Sequence, residues 1–289
     1  MNWSFDTSGP IGADVDISAG SVHFIAGDGN RAVVTVNPSN QGAKKDVDAA
    51  EKARVDFSGT RLSVVVPKPG GLMAYISFSD WGLVDVTVEL PSASAIVART
   101  GVGELRADGD FGAVDLKSAA GDIRVDRILT GRLVSAAGRL TLTSSSGDTE
   151  LTTAGDMEIG RIDGAAQVKN LNGLTHIEEV TGVLKVKSAN GDIVVDRAQS
   201  DLHGRTANGS IVVGELVRGA VSLATASGAI DIGIADGTSA FVDAGTQYGR
   251  VRNGLEPTTS PGSGERVEIR ARTAFGDIDI HRSSQTENR

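Results

Sequence analysis

The sequence contains no cysteine among its 289 residues, so disulfide bonds and thiolate metal sites are excluded. Aromatic residues make up only 4% of the chain, and no stretch approaches the roughly 18 apolar residues of a membrane-spanning helix. Positive charge is also scarce, because 28 Lys and Arg are outnumbered by 37 Asp and Glu. The resulting net charge of −9 argues against nucleic acid or an anionic membrane surface as the main ligand.

The first twenty residues contain neither a basic segment nor an apolar segment of the kind that forms a signal peptide. We therefore expect no secretory leader and a cytoplasmic location, with which the absence of cysteine is compatible. The alternative is a chain from which a leader has been removed.

Glycine, in contrast, is abundant, and many of the 37 glycines recur in the motif Gly-x-φ-x-φ, where φ is aliphatic. The first residues of successive motifs are 17 to 19 residues apart between Gly103 and Gly228, and a second series begins at Gly112, Gly182 and Gly219. The unit is therefore about 18 residues long and contains two strands. The main copies of the motif are 121–125, 138–142, 155–159, 191–195, 209–213, 228–232 and 276–280.

Alternation within each motif places both aliphatic side chains on one face of a short strand, and glycine permits a tight corner before it. One unit cannot bury its apolar face alone, so stacked units must share a core. The pattern predicts an all-β fold, a parallel β-solenoid (β-helix) with coils of about 18 residues. A propeller needs longer blades and an aromatic signature, and a meander would not need two distinguishable half-units. The predicted inward residues are Ile123, Val125, Ile193, Val195, Ile211, Val213, Ile230 and Ile232.

The chain is predicted to have three parts. Residues 1–95 form a β-rich N-terminal cap continuous with the solenoid, with one short helix at 46–54 and a loop at 67–71; a separate functional domain is the alternative. Residues 96–282 form the solenoid repeats with an insertion loop at 253–264, and the tail 283–289 is disordered. Because only this tail follows the last repeat, we expect strand 273–281 to present an open edge, giving a monomer or an end-on homodimer.

Aspartates, outward charged residues and histidines are the candidate sites in the sequence. Aspartates after the corner glycines are interpreted as acceptors of backbone N–H groups, because arginines interrupt their column and make a poor Ca²⁺ cage. Outward positions mix charges without a catalytic carboxylate pair, and Asp126–Arg127 and Asp196–Arg197 are expected to form surface ion pairs. The scattered histidines lack zinc-ligand spacing. The sequence thus predicts no catalytic, cofactor-binding or metal-ligating residue and no cofactor. The aspartates are Asp122, Asp156, Asp192 and Asp277, and the histidines are His23, His176, His203 and His281.

The recurring Ser-Ala-x-Gly-Asp-Ile pattern, with a strand-rich leader that ends in Val86-Thr-Val-Glu-Leu-Pro91, resembles the bacterial putative-adhesin family, also called Toastrack. The resemblance covers roughly residues 10 to 282 and implies a parallel β-solenoid with no established enzymatic activity. It supplies no catalytic residues. Some members are associated with the envelope, so the missing export signal makes this chain most similar to the leaderless, cytosolic members.

Three functions are considered, of which the first two belong to different classes of non-catalytic protein. The first is a non-catalytic scaffold or protein-interaction module in the cytoplasm of a bacterium, which presents a flat β surface to an unknown protein partner. The alternative is an envelope or surface binding module of adhesin type, and a solenoid glycan hydrolase or lyase is the third and weakest reading. No nucleic-acid ligand and no membrane span are expected, and the ligand-binding residues are unknown from the sequence alone.

Overall fold

A computed structural model describes residues 1–67, 81–256 and 264–283, and it divides into two compact units, Met1–Ser145 and Ser146–Arg289. Among its described residues the first unit contains one helix, α1 (Lys44–Glu51), close to the helix predicted at 46–54. Its strands are β1 (Asn2–Asp6), β2 (Gly12–Gly27), β3 (Arg31–Pro38), β4 (Arg54–Ser58), β5 (Arg61–Val65), β6 (Val84–Pro91), β7 (Ala95–Val102), β8 (Leu105–Ala120), β9 (Ile123–Ser135) and β10 (Leu140–Ser145).

The described residues of the second unit form strands joined by short turns. They are β11 (Thr149–Thr153), β12 (Met157–Ile162), β13 (Ala166–Asn172), β14 (Thr175–Val180), β15 (Leu184–Asn190), β16 (Ile193–Ala198), β17 (Leu202–Asn208), β18 (Ile211–Leu216), β19 (Gly219–Ser227), β20 (Ile230–Ile234), β21 (Ser239–Tyr248), β22 (Val251–Asn253), β23 (Arg266–Phe275) and β24 (Ile278–Arg282).

Alternate strands of the second unit pair in parallel and form two sheets. One sheet runs β11–β13–β15–β17–β19–β23–β21, and the other runs β12–β14–β16–β18–β20–β24–β22. Ala166 pairs with Leu184, and Leu184 pairs with Leu202, so each coil advances by one predicted unit. The prediction of an all-β parallel solenoid is therefore confirmed.

The corner before each even-numbered strand explains why the motif requires both glycine and a small hydroxyl residue. Gly191 and Gly209 have φ values of 135° and 140°, a region that side chains with a Cβ rarely adopt. Thr206 Oγ1 donates a hydrogen bond to the carbonyl oxygen of Gly191 in the preceding coil, at 3.2 Å, and Thr225 does the same for Gly209 at 2.9 Å. The hydroxyl group thus provides a hydrogen-bond donor for a carbonyl oxygen that, because of the corner, does not point toward a neighbouring strand.

The core between the sheets is aliphatic, as predicted. Ile193, Val195, Ile211 and Val213 are at most 1% exposed, and so are the other predicted inward residues. Each apolar side chain stacks on its equivalent in the next coil, so burial depends on neighbouring coils rather than on contacts distant in the chain.

In the first unit, the described antiparallel pairings are β1–β3, β3–β6 and β4–β5, and the remaining pairings are parallel. Phe5 of β1 and Phe57 of β4 stack with ring centroids 5.0 Å apart. The boundaries predicted for the cap and repeats stay predictions. Residues 284–289 of the predicted tail, 68–71 of the predicted loop and 257–263 of the predicted insertion lie outside the described residues.

The order of the final coils differs from the prediction. β23 and β24, the last strands in the sequence, lie between β19–β20 on one side and β21–β22 on the other. The expectation that strand 273–281 has an uncovered edge is therefore wrong. The insertion after β22 gives the chain enough length to return, so that the last coil lies between β19–β20 and β21–β22.

Candidate binding surface on the second unit

Cationic side chains form a grid on the outer face of the odd-numbered sheet of the second unit. Lys187 pairs in register with Lys169 on one neighbouring strand and with Arg205 on the other, and Lys185 pairs with His203. Adjacent strands are about 4.8 Å apart, and side chains two residues apart on one strand are separated by about 6.6 Å. All five side chains are exposed. We call Lys169, Lys185, Lys187, His203 and Arg205 the basic surface.

Most of this charge lacks a partner. Lys169 Nζ lies 3.4 Å from Glu150 Oε1, but no carboxylate of the described residues lies within ion-pair distance of Lys185, Lys187 or Arg205. Like charges directly opposite on adjacent strands destabilise a sheet. The arrangement is also unexpected in a protein with a net charge of −9. An anionic ligand would neutralise it.

The same position of the repeat, four residues before a corner glycine, holds a neutralised cation elsewhere. Arg99 lies 3.6 Å from Asp14, Lys117 lies 3.2 Å from Asp115, and Arg272 lies 2.7 Å from Asp243. The motif therefore tolerates a paired cation at this position. What distinguishes the basic surface is the missing aspartate, not the presence of lysine or arginine.

An uncharged row runs beside the cations on the same face. One residue on each of four successive strands, two positions before a corner glycine and between residues that pair in register, belongs to this row, and we call the four residues the alanine row: Leu171, Ala189, Ala207 and Ala226. The Leu171 side chain is 59% exposed, and the nearby Leu174 is 45% exposed. A ligand on this face therefore meets both cations and an aliphatic strip.

On the other sheet, a row of charged side chains is neutralised by ion pairs within the protein. Arg161, Glu179, Arg197 and Glu215 occupy successive coils with alternating sign, and Arg197 lies 3.9 Å from Glu179 and 3.5 Å from Glu215. Arg161 also contacts Glu179. The predicted pairing of Arg197 with Asp196 is wrong, because residues that follow each other along a strand point in different directions whereas residues in register meet.

The turn aspartates accept backbone N–H groups, as predicted. Asp192 Oδ1 accepts from the N–H of Ser210 at 2.7 Å, Asp156 Oδ1 from Leu174 at 3.1 Å, and Asp277 Oδ1 from Arg250 at 2.9 Å. Each bond joins one coil to a neighbouring coil. In the described part of the chain, no group of three or more His, Asp or Glu side chains is placed to hold a metal ion.

His281 has a distinct environment. Its Nδ1 lies 2.7 Å from the carbonyl oxygen of Arg282, and its Nε2 lies 3.1 Å from Asp231 Oδ1. Only the protonated ring can donate to both oxygens. The hydrogen bond to the Arg282 carbonyl, followed by the one to Asp231, raises the pKa of His281 above its ordinary value.

The basic surface was not predicted, although the sequence contains a signal for it. Lys169, Lys187 and Arg205 each precede a corner glycine by four residues, and Lys185 and His203 precede one by six. Aligning the coils on these glycines would have brought the cations together. The missing ion partners could not be found in this way, because partners come from either neighbouring coil.

No helix within the described ranges is long and apolar enough to cross a membrane.

Comparison with known proteins supplies the family. The family model described as Toastrack DUF4097 matches residues 13–286 of this chain. A solved structure of a putative adhesin from Bacteroides fragilis is similar with a TM-score of 0.40 and 10% identity, covering 97% of this chain and 96% of that one. A putative adhesin from Parabacteroides merdae has a TM-score of 0.39 and 10% identity, covering 81% and 92%.

A putative lipid binding protein from Parabacteroides distasonis has a TM-score of 0.35 and 13% identity, covering 97% of this chain and 96% of that one. No curated protein matches the chain. The family match extends over both units, from the first buried strand to beyond the last, so the chain belongs to the Toastrack DUF4097 family.

Proposed function

We propose that this protein is a non-catalytic interaction module whose basic surface binds an acidic segment of a partner protein. The observation that carries the proposal is the in-register row Lys169–Lys187–Arg205, from which Lys187 and Arg205 have no carboxylate partner among the described residues. Exposed ion pairs contribute little individually, but a grid of like charges attracts a complementary grid more strongly. The non-catalytic character is supported by the turn aspartates, which already accept backbone N–H groups.

The alanine row favours a protein partner over an anionic glycan or nucleic acid. A peptide segment that alternates acidic and aliphatic side chains can place carboxylates beside Lys187 and Arg205 and an aliphatic group beside Leu171. A sulfated or phosphorylated polymer has no aliphatic group to cover a leucine that is 59% exposed. Burial of such a side chain contributes to binding through the hydrophobic effect.

The test compares two labelled peptides by fluorescence anisotropy, one of glutamate alone and one of alternating glutamate and leucine. We expect the alternating peptide to bind more tightly, and we expect added salt to weaken both complexes. The variant Lys185→Gln/Lys187→Gln/Arg205→Gln should weaken binding of both peptides at least about tenfold. Leu171→Ser should weaken only the alternating peptide.

The matched control, Lys44→Gln/Lys52→Gln/Arg124→Gln, removes three exposed cations from elsewhere and should bind like the unchanged protein. Equal losses in the two triple variants would contradict the proposal, because only net charge would then matter. Dextran sulfate or single-stranded DNA binding more tightly than the alternating peptide, without an effect of Leu171→Ser, would favour the adhesin-type or nucleic-acid alternative. Cytoplasmic location stays a prediction, which fractionation of the native cells tests.

A further inference from the structure

The outermost coil of the second unit, β21–β22, is less well covered than every coil beneath it. Ala240, Val242 and Ala244 occupy the inward positions of β21 but are only half-buried. Their register partners in β23, Val267, Ile269 and Ala271, are completely buried. Val251 of β22 is 43% exposed, whereas its partner Ile278 is buried. This end of the aliphatic core lacks one further layer among the described residues.

The outer edge of β21 also carries free backbone groups. The N–H of Ser239 donates to the carbonyl oxygen of Glu265, beside β23, so the odd-numbered residues of β21 point toward β23. Successive residues of a strand point to opposite sides. The N–H and C=O groups of residues 240, 242, 244 and 246 therefore point outward, and no described strand pairs with them. Such an edge is a template for another strand.

We infer that the occupant of this edge is the same edge of a second copy, paired antiparallel about a twofold axis at Ala244. In an antiparallel pair, residues directly opposite each other have their side chains on the same face of the sheet. The twofold axis must therefore pass through a residue position and not between two residues. Near the middle of β21, the two possible positions are Asp243 and Ala244. An axis at Asp243 places two aspartates directly opposite each other, which destabilises the pair. An axis at Ala244 instead places Asp243 opposite Gly245 of the second copy and pairs Val242 with Thr246.

Charge supports the Ala244 register. Gly245 pairs with Arg272 on its inner side, and the Arg272 guanidinium lies 2.7 Å from Asp243 of its own chain. Because Gly245 has no side chain, Asp243 of the second copy faces that guanidinium across the glycine. The same contact occurs twice by symmetry. The edge is therefore complementary to itself in backbone hydrogen bonding and charge.

Gly245 provides the decisive variant. A Cβ at this position meets only the Arg272 side chain, at an ordinary distance of 3.8 Å, so the protomer accepts a larger residue here. Gly245→Asp places a second carboxylate opposite Asp243 at both symmetric positions and should weaken the dimer about tenfold or more. Gly245→Ser is the matched control of similar size without charge and should leave dimerisation nearly unchanged. Circular dichroism and thermal melts establish that both variants remain folded.

A cross-link tests the register, since the chain has no cysteine of its own. Directly opposite, hydrogen-bonded residues have Cα atoms about 5.5 Å apart, which a disulfide spans. Ala244→Cys should therefore oxidise to a covalent dimer, whereas Ala240→Cys should not, because its two copies are roughly 26 Å apart along the strands. A monomer at all concentrations in sedimentation equilibrium, a dimer indifferent to Gly245→Asp, or equal cross-linking of both cysteines would overturn the inference.

Discussion

Replacing a corner glycine with alanine is the sharpest test of the stacked-coil geometry. At Gly191 two penalties coincide. Its φ of 135° is strained for any residue with a Cβ, and a Cβ built there lies 2.0 Å from the carbonyl oxygen of Gly173 in the preceding coil. Strain contributes roughly 1–3 kcal/mol, and overpacking against backbone contributes a similar amount. We therefore expect Gly191→Ala to lower the free energy of unfolding by about 4 kcal/mol.

Two further glycines of the same unit separate these penalties. Gly237 has a φ of 78° but nothing within 4 Å of a built Cβ, so Gly237→Ala should cost only about 1 kcal/mol. Gly245 has neither a positive φ nor a close contact, so Gly245→Ala should be neutral or stabilising by up to about 1 kcal/mol.

Urea denaturation followed by circular dichroism measures all three variants, and an unchanged m-value establishes that their free energies are comparable. If Gly191→Ala is no more destabilised than Gly237→Ala, the close approach of neighbouring corner glycines does not require glycine at the corner, which would contradict the stacked-coil geometry.

Three other perturbations test the core, the ionisation of His281 and the repeat. Ile193→Asp buries an unpaired charge and should cost several kcal/mol, about 3 or more, whereas Arg124→Ser should cost under about 0.5 kcal/mol; equal thermal shifts would contradict the inside–outside assignment. Because the folded-state pKa of His281 is raised, its stabilisation is present below pH 6.5 and lost above the folded-state value, so His281→Gln should lower the melting temperature at pH 5.5 but not at pH 8.5. Deleting 173–190 removes one coil in register and should leave a folded protein, whereas deleting 173–181 pairs unlike strands; unfolding of both would show that the 18-residue unit is wrong.

The aliphatic repeat made the architecture predictable because every cue is local. Glycine before the strand and alternation within it are features of one unit, and the structure shows both in their expected roles at Gly191 and Ile193. The role of the hydroxyl residue was not predicted, because Thr206 bonds to Gly191 of the preceding coil. The role of the turn aspartates was predictable, since each corner repeats both the aspartate and the backbone N–H group that donates to an aspartate of a neighbouring coil. Ion pairs were not, because Arg197 could reach either neighbouring coil as well as its own.

By itself, the sequence determined the solenoid class, the identity of the inward residues and the glycine corners, since short-range stereochemistry and burial leave one arrangement that satisfies all units at once. Only the tertiary structure decided that the last repeat lies beneath β21–β22, because the local repeat does not specify on which side of the previous coil the final coil is added. It also decided which cations remain without carboxylates. Stacking brings residues 18 positions apart to within one strand spacing, and this proximity creates the basic surface. The edge that we expect to pair results from the order of the final coils.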